Sequence, residues 1–329
     1  MLMDMLKKYG FSLLKLSAMA LLTVAMLIQY KKLNDNPDLL QKLTDFYKRP
    51  YALTLSCILV LLTLVNYLIE SKKWIIILHP LQKLSLQNAL KSVFTGVLFS
   101  IFTPARVGEL GGRVVLLKSE NRLAGSAAVL IGSVAQNICI LILGLFGLNY
   151  LMHFHNYTTP TILASISILS VLLSLITLFV FYNIDKAIPL IKKLPWPEKW
   201  RPYFRKFIHL SSYDSGNLSW ILLLSLLRIL VWTLQYLIIM WVLVELNIDV
   251  FAVSVIWLIF LIQTGVPLPP ISGLVARSGV AIYMWSIIQI DEWNALAATF
   301  VIYFYNLIIP SCIGLFVLIF NRKIINESV

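Results

Sequence analysis

Apolar residues fall in long unbroken blocks rather than at the three-to-four spacing of a soluble amphipathic helix. The blocks run over 10 to 30, 51 to 69, 124 to 151, 160 to 182, 217 to 245 and 294 to 320. A hydrocarbon core about 30 Å thick takes about 20 helical residues to cross, so each block predicts a membrane span. Two further apolar regions, 92 to 117 and 250 to 288, are each cut by a proline/glycine break. The breaks are Pro104-Ala-Arg-Val-Gly108 and Pro269-Pro-Ile-Ser-Gly273, about half the chain apart.

The arms on either side of the first break reach only about 18 Å each at the helical rise, too short to cross alone. Those of the second, Val250 to Val266 and Leu274 to Ile288, exceed about 20 Å, so a full crossing of a thinned bilayer stays open there. We read both regions as re-entrant or broken helical hairpins, because irregular backbone at membrane depth persists only inside protein or against a wet cavity. The predicted fold is therefore an all-α polytopic membrane protein with six full spans and two hairpins.

Composition agrees. Of 329 residues, 59% are hydrophobic and 13% charged, about half the charged share usual in soluble domains. The mean hydropathy is +0.85. The longest connection, 183 to 216, is too short to build a soluble catalytic core of its own. The block at 10 to 30 follows Lys7 and Lys8 but is too long for a cleaved leader's apolar stretch, and is read as a retained span. The net charge of +12 is assigned to loops facing anionic lipid rather than to nucleic acid.

Loop charge orients the chain. Connection 183 to 216 carries Lys186, Lys192, Lys193, Lys199, Arg201, Arg205 and Lys206, whereas 152 to 159 and 246 to 249 carry no Lys or Arg. The basic connection is placed in the cytoplasm and the other two outside. Both termini then lie in the cytoplasm, as do Lys72, Lys73, Lys83, Lys118 and Arg122. The basic connection 31 to 50 is the exception and falls outside. With this parity, 1–151 (hairpin 92–117) and 160–320 (hairpin 250–288) form an inverted repeat, joined by 183–216. Within that connection Trp196, Trp200, Tyr203, Phe204 and Phe207 alternate with basic residues and suggest an interfacial helix.

The densest polar constellation beside a membrane segment is the 102 to 113 tract. Pro104 ends the first arm and the second begins near Val107, so its free amides would face an anion. Arg106 offers a planar fork for phosphate oxygens. Glu109, three residues on, either neutralises Arg106 or serves as a base, and Arg113 lies one further turn along the same face. Arg228 sits near the middle of its span and needs a partner. Glu109 is the candidate acid, being the carboxylate nearest membrane depth, since Glu70 and Glu245 read as span ends; Gln136, Asn137 and Gln235 are the neutral candidates. Arg277 follows Pro269 and Gly273, so the second break also carries a cation. Asn66, Gln263 and Asn306 suit hydrogen bonds between helices.

Cys57, Cys139 and Cys312 have no metal-ligand spacing, and His153-Phe-His155 has no acidic or thiol neighbour to complete a shell. No metal and no cofactor are expected. Nucleophile-elbow, zincin and phosphate-loop motifs are missing, which weakens an enzyme reading.

The tract Thr103-Pro-Ala-Arg-Val-Gly-Glu109 with Arg113, and the later Pro269-Pro-Ile-Ser-Gly273 with Arg277, resemble those of the flippase-like integral membrane family. That family includes the transmembrane half of lysylphosphatidylglycerol synthase. Pro104, Arg106, Gly108 and Glu109 match its first tract, and Pro269, Gly273 and Arg277 its second. Ala105 stands where glycine is usual, and Ser278 where glutamate is usual. The resemblance covers nearly the whole chain and lacks the aminoacyl-transferase domain. It implies translocation of an anionic phospholipid or lipid-linked carrier across the cell membrane. The candidate substrate residues read from the chain are Arg106, Glu109, Arg113, Arg228 and Arg277, with Arg106 and Arg277 at the headgroup phosphate and Arg228 lining the path. An integral membrane enzyme acting on a lipid-linked substrate is the alternative, and a lipid-modifying enzyme is a candidate partner.

Overall fold

The computed structural model describes residues 20, 24, 27, 31, 37–48, 50–154, 159–184, 186, 213–265 and 274–320. Among them the chain is helical throughout, with no strand. In chain order the helices are α1 (Pro37–Lys48), α2 (Ala52–Leu78), α3 (Leu86–Ser100), α4 (Gly108–Val114), α5 (Arg122–Phe154), α6 (Pro160–Tyr182), α7 (Ser215–Val244), α8 (Val250–Thr264), α9 (Leu274–Ser286), α10 (Glu292–Tyr303) and α11 (Ile309–Phe320). Five stretches are long and apolar enough to span a membrane: α2, α5 with its preceding turn, α6, α7, and α10 continued into α11. The expected span over 10 to 30 lies outside the described residues, apart from helical Ala20, Val24 and Leu27. The interfacial segment at 196 to 207, both ends of the chain, His155, and Pro269 and Gly273 also lie outside them.

In each interrupted region the two arms touch one another. In the first, α3 and α4 run antiparallel, joined by a short 3-10 turn at Pro104–Arg106. Their backbones touch at glycine: a Cβ on Gly112 would lie 2.8 Å from the Cα of Gly96 and 2.7 Å from the carbonyl oxygen of Thr95. Close helix approach of this kind demands residues without side chains. In the second, the Gln263 side chain of α8 donates 2.9 Å to the carbonyl of Arg277 in α9, tying the arms together beside their break.

Contacts sort the connections into two ends of the bundle. At one end Lys42 of α1 lies 3.9 Å from Asp291, Tyr51 packs on Trp241, and Phe154 packs on Phe251. The exceptional basic connection thus shares its end with the loops before α8 and after α9. At the other end Asn121 donates to the carbonyl of Leu81, and the Tyr213 hydroxyl donates to the carbonyl of Ile77. Burial pushes the Tyr213 phenol well above its ordinary range, so it remains a donor at any usual pH. The residues flanking the first interrupted region, Leu81 and Asn121, meet at this second end, and those flanking the second, Phe251 and Asp291, lie at the first.

Each hairpin packs on the span that follows the other. Gly314 of α11 meets the backbone of Phe94 in α3, and a Cβ on Gly147 of α5 would lie 2.6 Å from the carbonyl oxygen of Ser254 in α8. Helix α6 is peripheral: Ile168, Leu169 and Phe179 are exposed on its outer face. It is held by Asn149, which donates 3.0 Å to Ser170 and accepts 2.8 Å from Ser167.

Two boundaries differ from expectation. The span read as 51 to 69 continues as α2 to Leu78, because its polar end is covered by α3, α5 and α7 instead of meeting water. Lys73 is consequently buried in the bundle and not in a cytoplasmic loop, and Glu70 is not a span end. The last span contains a π-helical turn at Phe304–Ile308. Pro310 explains it, since proline has no N–H for the carbonyl four residues earlier. That carbonyl, of Asn306, accepts instead from the Tyr67 hydroxyl at 2.7 Å.

Candidate functional site

Helix α2 places Asn66, Tyr67, Glu70, Lys73 and Trp74 on one face, the outcome of three- and four-residue spacing. All five are buried. Opposite them the first hairpin presents Arg106, Glu109 and Arg113, α7 presents Ser225 and Arg228, and α5 presents Gln136. A buried charge must be paired or hydrogen-bonded to be tolerated, and here the pairs form one continuous network.

Glu70, with its side chain 2% exposed, is the hub. One carboxylate oxygen accepts from Arg113 at 2.6 Å, and the other accepts from Arg228 at 2.6 Å and Lys73 at 2.8 Å. Arg113 also donates through Nε to Glu109 at 3.0 Å. The second oxygen of Glu109 lies 3.2 Å from Arg106. Arg113 and Arg228 lie over the rings of Trp74 and Trp232, at 5.6 and 4.8 Å from the ring centroids, which adds a cation–π contribution to each.

Arg228 is held further by Asn66, 2.8 Å from its Nε, and Gln136, 2.9 Å from its Nη1. Beyond Asn66 the polar chain continues to Asn306 at 3.2 Å, to Gln235 at 2.9 Å and to Thr63 at 3.0 Å. The network thus joins α2, the first hairpin, α5, α7 and the π turn. On the side facing α11 it borders a small groove of about 70 Å³ lined by Tyr67, Phe94, Val60, Leu64, Ile309 and Ile313.

The charges do not balance. Arg106, Arg113, Arg228 and Lys73 face the two carboxylates of Glu70 and Glu109, leaving a surplus of positive charge. The surplus is reachable at Arg106, whose side chain is 30% exposed against 4% for Arg113 and Arg228. Its Nε is nevertheless buried with no partner, and so is the Nε of Arg277. Arg277 lies within the electrostatic field of Arg106, and among the described residues no carboxylate is within ion-pair distance of it.

The turn itself is strained. Ala105 and Arg106 both have left-handed backbone, with φ of 49° and 59°. This conformation is unfavourable for a residue with a Cβ. It projects Arg106 away from α4 while still reaching Glu109. The amide of Gly108 is not free to meet a ligand as expected, because the Thr103 hydroxyl accepts from it at 2.7 Å.

The structure brings Arg106, Glu109, Arg113 and Arg228 together, Arg277 lies outside the ion-pair network, and Gln136 is the neutral partner of Arg228. The expected acidic partner was wrong: Arg228 pairs with Glu70, because α2 extends far enough to put that carboxylate inside the bundle. Gln235 serves the polar chain instead. Glu70 and Lys73 were missed as members of the cluster. The available signal was their position on one helical face with Asn66 and Trp74. Among the described residues no group of His, Cys, Asp and Glu is arranged to hold a metal ion.

Among curated proteins and among solved structures nothing matches the chain. A family model described as the lysylphosphatidylglycerol synthase TM region matches residues 13–314. The match takes in both interrupted regions and every residue of the buried charge network, and the chain belongs to that family.

Proposed function

We propose that the protein moves an anionic phospholipid, or a carrier with a lipid-linked phosphate, between the leaflets of the cell membrane. The observation that carries this reading is the pair of cationic breaks. Arg106 and Arg277 come from separate hairpins, each has a buried Nε with no partner, and the cluster behind Arg106 holds more cations than carboxylates. A phosphate diester supplies one negative charge and oxygens that suit the guanidinium fork. The groove beside Tyr67, apolar along Val60, Leu64 and Ile313, has room for a few methylenes of an acyl chain of the same lipid.

The exchange of packing between hairpins and following spans supports an inverted repeat, with 1–151 and 160–320 as its halves and 183–216 as the cytoplasmic link. On this reading both hairpins are re-entrant, both chain ends are cytoplasmic, and rocking of one half against the other alternates access to the arginines. The network around Glu70 would lock the first hairpin to α2 and α7 during that motion. Glu109 has both oxygens engaged by guanidinium groups, so it is better suited to holding Arg106 than to abstracting a proton from a substrate. Service of a lipid-modifying enzyme as a partner is compatible with translocation.

The test is reconstitution in vesicles carrying fluorescent phosphatidylglycerol, with leaflet exchange followed by quenching from outside. Wild-type protein should accelerate exchange, and Arg106→Ala and Arg277→Ala should each slow it by at least tenfold. Equal exchange in wild type and in both variants would sink the proposal.

A further inference from the structure

The proposed phosphate site contains a third donor that neither break supplies. Tyr303, the last residue of α10, is 9% exposed, and its hydroxyl is buried with no hydrogen-bond partner. An orphan buried phenol is unfavourable, so it calls for an explanation. Its place suggests one. The ring packs with Ile101 and Ile308 and against Phe102, which puts it at the turn of the first hairpin. Tyr303 and Arg277 also lie within one another's electrostatic field, and Arg277 within that of Arg106.

Three buried donor atoms are thus left unsatisfied on elements that pack together: the Tyr303 hydroxyl from α10, Arg106 Nε from the turn beside which Tyr303 packs, and Arg277 Nε from α9, which lies along α10. Polar groups buried in a native structure are nearly always satisfied. Convergent unsatisfied donors are what a site for an oxyanion looks like when the oxyanion is absent. The π turn that begins immediately after Tyr303 separates two duties. Asn306, within the turn, bonds Asn66 and Gln235 in the polar chain, while Tyr303 before it packs against the hairpin.

We infer that Tyr303 is a phosphate-contacting, specificity-determining residue whose hydroxyl donates to an oxygen of the phosphate held between Arg106 and Arg277. The inference rests on the translocation reading for the identity of the ligand as a lipid. The chemistry it asserts, a phosphate oxyanion at these three donors, does not. The hydroxyl distinguishes phosphate from bare positive-charge attraction, because a phenol contributes only to an acceptor within hydrogen-bond reach. A lipid without phosphate would leave all three donors unpaired and should be rejected for that reason.

The experiment compares wild type, Tyr303→Phe and Arg106→Ala in detergent micelles. Binding of short-chain phosphatidylglycerol, short-chain diacylglycerol and inorganic phosphate is measured for each, together with the melting temperature of the ligand-free protein. A hydrogen bond to a charged group is worth about 1.5 to 3 kcal/mol, so Tyr303→Phe should weaken phosphatidylglycerol binding roughly ten- to a hundredfold. Diacylglycerol binding should not change. The ligand-free melting temperature should hold or rise, since the removed hydroxyl has no partner.

If inorganic phosphate competes with the lipid in wild type and loses that ability in Tyr303→Phe, the same contact serves a free anion. If it does not compete while lipid binding still falls, the contact is specific to the lipid headgroup. Both outcomes support the inference. Unchanged phosphatidylglycerol binding in Tyr303→Phe with loss in Arg106→Ala would overturn it and leave translocation standing. A lowered melting temperature in Tyr303→Phe would also overturn it, by revealing a structural partner for the hydroxyl. Full binding in all three proteins would remove the phosphate reading altogether.

Discussion

The carboxylate of Glu70 in α2 lies 2.6 Å from the guanidinium of Arg228 in α7, across 158 residues of chain. This contact joins the two halves of the protein at their most buried level. It also fixes what each neighbour does. Lys73 and Arg113 share the same carboxylate, so removing it leaves Lys73 and Arg228 with no carboxylate among the described residues and Arg113 with Glu109 alone.

Glu70→Gln should therefore be among the most damaging single changes in the molecule. Leaving a buried partner uncompensated costs about 3 to 5 kcal/mol. We expect a large drop in detergent melting temperature or failure to accumulate. A variant as stable as wild type would show that the network is not carrying the fold.

Arg106→Ala should behave in the opposite way. Its side chain is partly exposed and makes one ion pair, at 3.2 Å to Glu109, and partly exposed pairs contribute little, about 1 kcal/mol or less. The melting temperature should shift by only a few degrees while lipid exchange falls tenfold or more. Parallel loss of both would reassign Arg106 to structure.

Ala105→Gly should stabilise the protein. The left-handed backbone at φ 49° is unfavourable for alanine by about 1 to 2 kcal/mol, and the greater freedom of glycine in the unfolded chain returns about 0.5 to 1 kcal/mol of that. A net gain of about 0.5 to 1 kcal/mol should appear in chemical denaturation. No gain would mean that the turn relaxes in solution.

Tyr67 and Pro310 should be coupled. The Tyr67 hydroxyl satisfies the Asn306 carbonyl that Pro310 leaves without a helical donor. Tyr67→Phe alone should cost about 1 to 2 kcal/mol. In a Pro310→Ala background, where the alanine amide can reach that carbonyl, the same change should cost clearly less. Additive effects in the double-mutant cycle would remove the link.

Topology can be read by labelling single cysteines placed at Asp35, His155, Leu190 and Asp291. Lys42 with Asp291 and Phe154 with Phe251 already group three of these regions at one end of the bundle. Only the cysteine at position 190 should be protected from an impermeant reagent outside the cell. Protection of the one at 35 with labelling at 291 would break the grouping.

Much of the architecture was legible in the chain because hydrocarbon leaves few choices. Blocks of apolar residues about 20 long must be helices, and a Pro/Gly break inside one must be enclosed by protein. Hence the spans α5, α6 and α7 and the arms of both hairpins fall within a few residues of expectation. Arg106, Glu109, Arg113 and Arg228 also stood out, since charge inside an apolar block is rare and needs a reason.

What the sequence determined by itself was the helical fold, the location of the two breaks and the cations that accompany them, because each of those is set by local burial cost. Which charges meet was decided only by tertiary structure. Glu70 and Lys73 looked like the polar fringe of a span, and they became its buried centre when α3, α5 and α7 closed over that end of α2. The proposed site at Arg106, Arg277 and Tyr303 would have the same origin: an ion pair or a ligand site depends on distance through space, and residues far apart along a chain acquire that distance only when the helices pack.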